Sequence, residues 1–141
     1  MKLSDAMARV VSGGDVRILL VEDEELVRLI LAEALADYGY QVVEAATGDE
    51  AARLFEQGAA FDAVVTDINM PGSRDGIALG RYARDRDPTI PIIYVTGRPD
   101  ARSAVGPLGP RDAFMAKPYA PSEVAATLDR LLPPDRRQQD A

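Results

Sequence analysis

The feature that most narrows the fold is a rhythm. Short, almost continuous apolar runs alternate with segments of helical spacing along the 141-residue chain. "VRILLVED" (16–23) has no polar alternation, so a strand there must be covered on both faces. Leu26, Val27, Ile30, Leu31, Ala34, Leu35 and Tyr38 follow, three and four apart, and Gly39 supplies a stop. "YQVVEA" (40–45) reads as a second strand. "TGDE" (47–50) places Thr three before Glu, a capping pattern that opens a second helix with the stripe Ala51, Leu54 and Phe55.

"FDAVVTD" (61–67) is a third strand and "DGIALGRYARDRD" (75–87) a third helix, capped by Asp75. "IPIIYVTG" (90–97) and "DAFMAKP" (112–118) are strands four and five, and a last helix runs from Pro121 to Leu132. Five strand–helix units argue for the α/β class, a parallel sheet with helices on both faces. The fourth helix is the exception. "RPDARSAVGPLGPR" (98–111) holds Gly106, Pro107, Gly109 and Pro110, so a short, distorted turn followed by loop is expected there. One domain over 16–132 accounts for the pattern, with an N-terminal extension at 1–15. "PPDRRQQDA" (133–141) is polar and aperiodic and is expected to be a disordered tail.

Open sheets of this class bind ligands at the carboxyl ends of their strands. Strand one ends in Glu22-Asp23, strand three in Asp67, strand four in Thr96-Gly97 and strand five in Lys117-Pro118. Strand two ends in "EAATG" and offers little. Each residue alone has an ordinary explanation: anions at a helix start, a turn-forming Asp, a β-forming Thr, a solvated Lys. Lys2 and Lys117 are the only lysines, however, so a compact ammonium stands where Arg is otherwise the rule.

With no Cys and no His, disulfides, thiol chemistry, imidazole bases and the usual zinc sites are excluded. Three carboxylates at one rim would repel and require a cation. Hard oxygen donors select Mg²⁺. A carboxylate held beside such an ion, with a lysine opposite, can attack phosphorus to form an aspartyl phosphate. Lys+Arg 16 against Asp+Glu 23 leaves a net charge of −7, a poor balance for nucleic-acid binding. No apolar run has the length of a membrane span and no signal peptide is evident, so a cytoplasmic protein is expected.

The motifs "LLVEDEELVR", "VVTDINMPG", "YVTG" and "KPY", in this order and spacing, resemble the receiver domains of bacterial two-component response regulators across residues 16–132. The resemblance implies a flavodoxin-like (βα)5 fold with strand order 2-1-3-4-5. It implies phosphorylation of Asp67 by a histidine kinase or phosphotransfer protein. Mg²⁺ would be held by Asp23 and Asp67, by Glu22 through water, and by the backbone carbonyl of Asn69. Lys117 would contact the phosphoryl group and Thr96 would move to bond it. Phe114 would swing inward, Gly97 would keep the phosphate accessible, and the peptide before Pro118 would be cis.

Output would be a downstream protein target or a relayed phosphate, without attached DNA-binding or enzymatic function. A weak homodimer is a further expected partner, although the broken fourth helix lies where family members often pair. "MPGSRDG" is one residue longer than the commoner form, so a bulged loop is expected after Asp67. Two alternatives stay open at this stage. One is a receiver-like docking module that is never phosphorylated. The other is a Mg²⁺-dependent phosphatase of the haloacid dehalogenase type, which wants a second Asp where Asn69 stands.

Overall fold

The computed structural model describes residues 15–137 apart from Pro99. Residues 1–14 of the expected extension and 138–141 of the expected tail lie outside the described residues. The rhythm of the sequence becomes β1 (Arg17–Val21), α1 (Glu25–Asp37), β2 (Gln41–Ala45), α2 (Gly48–Glu56), β3 (Ala63–Asp67), α3 (Gly76–Arg86), β4 (Ile92–Thr96), α4 (Ala101–Val105), β5 (Asp112–Ala116) and α5 (Pro121–Leu131). The strands form one parallel sheet in the order β2-β1-β3-β4-β5, as expected.

The unbroken apolar runs are explained by the two layers they feed. Ile18, Leu20, Val65, Ile93 and Val95 face α1 and α5, where Leu31, Leu35, Val124 and Leu128 complete one core. Leu19, Val21, Val64, Ile92 and Tyr94 face the other way, against Phe55 of α2 and Leu79 and Ala83 of α3. Successive residues of one strand thus serve opposite cores. The central strands β3 and β4 are buried throughout, whereas β2 and β5, at the edges, are partly open.

Local signals start the helices where the sequence places them. Thr47 Oγ1 accepts the Glu50 N–H at 3.0 Å, and the Glu50 carboxylate reaches back to the Ala46 N–H at 2.8 Å. Asp75 Oδ1 accepts the Ala78 N–H at 2.8 Å. The fourth helix is a single five-residue turn ended by Gly106 at φ 81°.

The loop after Asp67 is tied down by a strap. Ser73 donates to the Asp49 carboxylate through Oγ (2.8 Å) and its N–H (3.2 Å), and the Arg74 guanidinium lies 4.8 Å from the centre of the Tyr82 ring. The described part of the expected tail, residues 133–137, carries a short turn. Pro134–Arg136 form a 3₁₀ turn, and Arg136 donates to the Asp15 carbonyl (2.9 Å) and to Asp62 Oδ2 (3.0 Å). A basic side chain with two acceptors at the far end of β1 anchors what composition alone presents as structureless.

Candidate functional site at the carboxyl ends of the strands

The strand order decides which ends meet. β1 and β3 are neighbours at the point where the chain reverses direction across the sheet, so Glu22 and Asp23 follow Val21 directly beside Asp67. Oxygens of Glu22, Asp23 and Asp67 lie within 4.8 Å of one another. Glu22 and Asp67 are buried, at 4% and 7% exposure, while Asp23 is exposed. Lys117, from β5, reaches over β4 to this cluster. Its Nζ donates to Glu22 Oε1 at 2.8 Å and to Asp67 Oδ2 at 3.3 Å. Neighbouring strands are roughly 4.8 Å apart, which makes the long, thin lysine stem suitable for the task. The Lys117–Pro118 peptide is cis.

Thr96 and Asn69 form a second group on the rim. Thr96 Oγ1 donates to Asn69 Oδ1 at 2.8 Å and accepts the Arg98 N–H at 3.0 Å. Any motion of the threonine toward Asp67 must give up the first of these bonds. Gly97 is exposed, and a methyl group placed on it would meet only the Lys117 Cβ, at 4.0 Å. Phe114 stands apart from the carboxylates. It packs half-buried in the α2–α4 layer, with the Arg102 guanidinium 5.7 Å from its ring centre.

Burial pushes the carboxyl groups of Glu22 and Asp67 above their ordinary range. For Asp67 the nearby Asp23 adds to the rise, while the Lys117 ammonium and the Asn69 N–H oppose it. Burial alone would lower Lys117, but its bonds to Glu22 and Asp67 prevail and hold it above its usual value. The donor set suits a hard divalent cation. It has three carboxylates and no nitrogen or sulfur, and Asp67 Oδ1 is buried without a hydrogen-bond partner.

A pH prediction follows for the metal-free protein. Folded values of Glu22 and Asp67 lie above the ordinary 4.5 and 3.8. Between the ordinary and the raised values the folded state therefore binds more protons than the unfolded chain, and acidification favours folding. This gain is absent above the raised values and complete below the ordinary ones. In chelator, the melting temperature should rise as the pH falls toward the ordinary carboxylate values, and the rise should shrink in Asp67→Asn. Equal slopes in the two proteins would show that Asp67 is not strained by burial.

Two residues that strand-end reasoning passes over also reach the site. Arg28 of α1 donates through Nη1 to the Glu22 carbonyl at 2.9 Å and through Nε to Glu44 of β2 at 3.0 Å. Both lie in quoted stretches, "LLVEDEELVR" and "EAATG", but nothing in those stretches pairs them, and only tertiary proximity shows the contact.

The sequence matches the response regulator receiver domain family over residues 18–129. Sensor kinase CckA of Brucella abortus is 39% identical over 122 residues, covering 85% of this chain and 13% of CckA. Response regulator receiver protein CpdR of the same organism is 38% identical over 120 residues, covering 82% of this chain and 96% of CpdR. The chain spans under half the length of several other curated relatives.

Among solved structures, a response regulator receiver protein from Sinorhizobium medicae superposes with a TM-score of 0.77 at 32% identity, covering 83% of this chain and 94% of that one. Response regulator TrrA from Thermotoga maritima, solved in complex with Mg²⁺-BeF, gives 0.71 at 30% identity, with 83% and 99% covered. Matched from its first strand into its last helix, and sharing its fold with solved receivers, the chain belongs to the response regulator receiver domains of two-component signalling, a signalling family rather than one of conventional enzymes.

Proposed function

We propose that this protein is a phosphorylation-controlled switch or relay component that accepts a phosphoryl group on Asp67 in a Mg²⁺-dependent reaction. The single observation that carries the reading is the buried, unpartnered Oδ1 of Asp67 inside a three-carboxylate cluster faced by one lysine. Structural ion-pair networks usually satisfy their oxygens. An orphaned oxygen beside two further acids is the geometry expected of a group that acts on a ligand.

In the reaction, an Asp67 carboxylate oxygen attacks the phosphorus of a phosphohistidine or a small acyl phosphate. A new O–P bond forms, and the bond to the donor breaks with its electron pair leaving on the donor nitrogen or oxygen. Asp23, Asp67, the Asn69 carbonyl and, through water, Glu22 would hold Mg²⁺, which would neutralise charge on the phosphoryl oxygens. Lys117 is already 3.3 Å from Asp67 and contributes a second positive charge on the opposite side. Thr96, released from Asn69, donates to the phosphoryl oxygen. Phe114 then moves inward and carries the change to the surface. That TrrA was solved in complex with Mg²⁺-BeF supports a role for the metal in a receiver of this fold.

The donor reading also has a surface to support it. A groove of about 420 Å³ lined by Val27, Ile30, Leu31, Pro118, Tyr119 and Pro121 adjoins Lys117. Leu26 and Ile30 beside it are 70% and 53% exposed. An apolar groove next to the reacting carboxylate suits a histidine-bearing helix of a kinase or phosphotransfer protein. Among the described residues no helix is long and apolar enough to cross a membrane, which agrees with a cytoplasmic partner. The phosphatase alternative is not favoured, because Asn69 turns its side chain to Thr96 and supplies no second acid.

Incubation with acetyl phosphate followed by intact-mass measurement tests the proposal. A phosphate-sized gain that requires Mg²⁺ and is removed by hydroxylamine is expected. No gain with acetyl phosphate, with a reactive kinase or with beryllofluoride would leave the docking-module reading in its place.

A further inference from the structure

Asp23 is the least supported member of the acid cluster. Glu22 is held at four points: its N–H donates to the Ala45 carbonyl (3.1 Å), Oε2 accepts the Glu24 N–H (3.0 Å), Oε1 accepts Lys117 (2.8 Å), and its carbonyl accepts Arg28 (2.9 Å). Asp67 is fixed by the β3 ladder and by Lys117. Asp23 is exposed, and none of the described hydrogen bonds or ion pairs ends on its carboxylate. With no such contact to hold it, its placement depends on where the backbone puts its Cα–Cβ bond.

The peptide plane between residues 22 and 23 carries that direction. One end of the plane is the Glu22 carbonyl, and Arg28 is the side chain that grips it. The guanidinium is in turn gripped by Glu44, so it is held from two sides and only 16% exposed. Charged donors make the stronger hydrogen bonds, and a guanidinium anchored at both ends loses little freedom in making them. We infer that Arg28, held by Glu44, is a positioning residue that aims Asp23 into the metal site. Through it the Glu44 side chain of β2 is coupled to metal binding.

A competing effect has the opposite sign. A cation near a metal site repels the metal, so removal of Arg28 would tighten binding if Coulomb forces alone mattered. The Glu44 carboxylate, 3.0 Å from Nε, offsets that charge, and the positioning effect is expected to win.

The inference rests on the function proposed above, so the experiment begins with the wild type. Mg²⁺ is titrated calorimetrically into wild type, Arg28→Gln, Arg28→Lys, Glu44→Gln and the Arg28→Gln/Glu44→Gln double variant. Melting temperature in chelator and acetyl-phosphate labelling over the same range of Mg²⁺ accompany each titration. Arg28→Gln should weaken Mg²⁺ binding about tenfold, in the range of contacts that orient metal ligands. Labelling in Arg28→Gln should need correspondingly more Mg²⁺, because the same ion serves both readouts.

Glu44→Gln should shift affinity in the same direction by less, and the double variant should bind no more weakly than Arg28→Gln alone. Arg28→Lys, with one donor group to share between two acceptors, should fall between. Unchanged or tighter Mg²⁺ binding in Arg28→Gln overturns the inference, as does an additive double variant. If Arg28→Gln does not fold, unchanged binding in Glu44→Gln overturns it instead. A wild type that neither binds Mg²⁺ nor becomes labelled overturns the proposed function itself, which is a separate and recognisable result.

Discussion

Asp67→Asn is expected to abolish the phosphate adduct completely and yet to leave the metal-free fold more stable than wild type. The loss is simple chemistry, because the amide is not a nucleophile toward phosphorus. The gain comes from three features of the site. Asp67 is 7% exposed, its Oδ1 has no hydrogen-bond partner, and Asp23 lies in the same cluster. The direction of its titration shift says the same thing: burial raises it, so the ionised form is worse off in the fold than in the open chain.

The contact with Lys117, at 3.3 Å, is long for a charge-assisted bond and only partly offsets these effects. Removing the charge should raise stability by on the order of 1 kcal/mol, the scale of a close like-charge contact, or roughly 3 °C in melting temperature. Thermal unfolding in chelator measures this. Addition of Mg²⁺ should reverse the ranking, since the wild type binds the ion better. A variant less stable than wild type in chelator would mean that the Lys117 bond outweighs desolvation, and that the site is a structural ion pair.

Among the described glycines, Gly76→Ala should add the most damaging methyl group, although Gly76 carries no side chain to the site. An added Cβ would lie 2.0 Å from the Asp67 carbonyl oxygen and 2.8 Å from both the Asp67 carbonyl carbon and the Ile68 Cα. These are backbone atoms at the end of a fully buried strand, and they cannot turn aside as a side chain would. The Gly76 N–H also donates to the Ile68 carbonyl at 3.0 Å, which ties the start of α3 to the same turn.

Overpacking a core commonly costs about 1–3 kcal/mol, and a backbone clash places this variant at the upper end or beyond. Because the displaced atoms include Asp67 itself, phosphorylation should fall at least tenfold, on the order of what a 1 Å misplacement does to a reaction that depends on geometry. Gly97→Ala is the control. Its methyl would meet only the Lys117 Cβ at 4.0 Å, and stability should change by less than about 0.5 kcal/mol. Chemical denaturation and Mg²⁺-dependent labelling of both variants decide the matter. Equal stabilities would remove Gly76 from any role in shaping the acceptor site.

The particular residues show where sequence reasoning has purchase. Strands and helices are legible because their signals are local: the unbroken apolar runs of β1, β3 and β4, the Thr47 and Asp75 caps, and the Gly and Pro residues that confine α4 to five residues. The identities of the strand-end residues are legible for the same reason, since each follows its own apolar run. Arg136 marks the limit. In a polar, aperiodic stretch it pairs with Asp62, 74 positions away, and no local pattern announces such a contact. Phe114 is a similar case: its three-residue spacing from Lys117 is plain, but its packing under Arg102 is a property of the α4 layer.

By itself, then, the sequence determined the five units, their burial on both faces and the set of groups at the rim. Periodicity, capping and composition act over a few residues and leave a readable trace. The tertiary structure alone decided which rim groups touch. It placed Lys117 on Glu22 rather than in solvent, left one oxygen of Asp67 without a partner, pressed Gly76 against the acceptor backbone, and brought Arg28 and Glu44 to the carbonyl behind Asp23. These contacts join residues far apart in the chain, and only the strand order and the packing of helices onto the sheet bring their partners within reach.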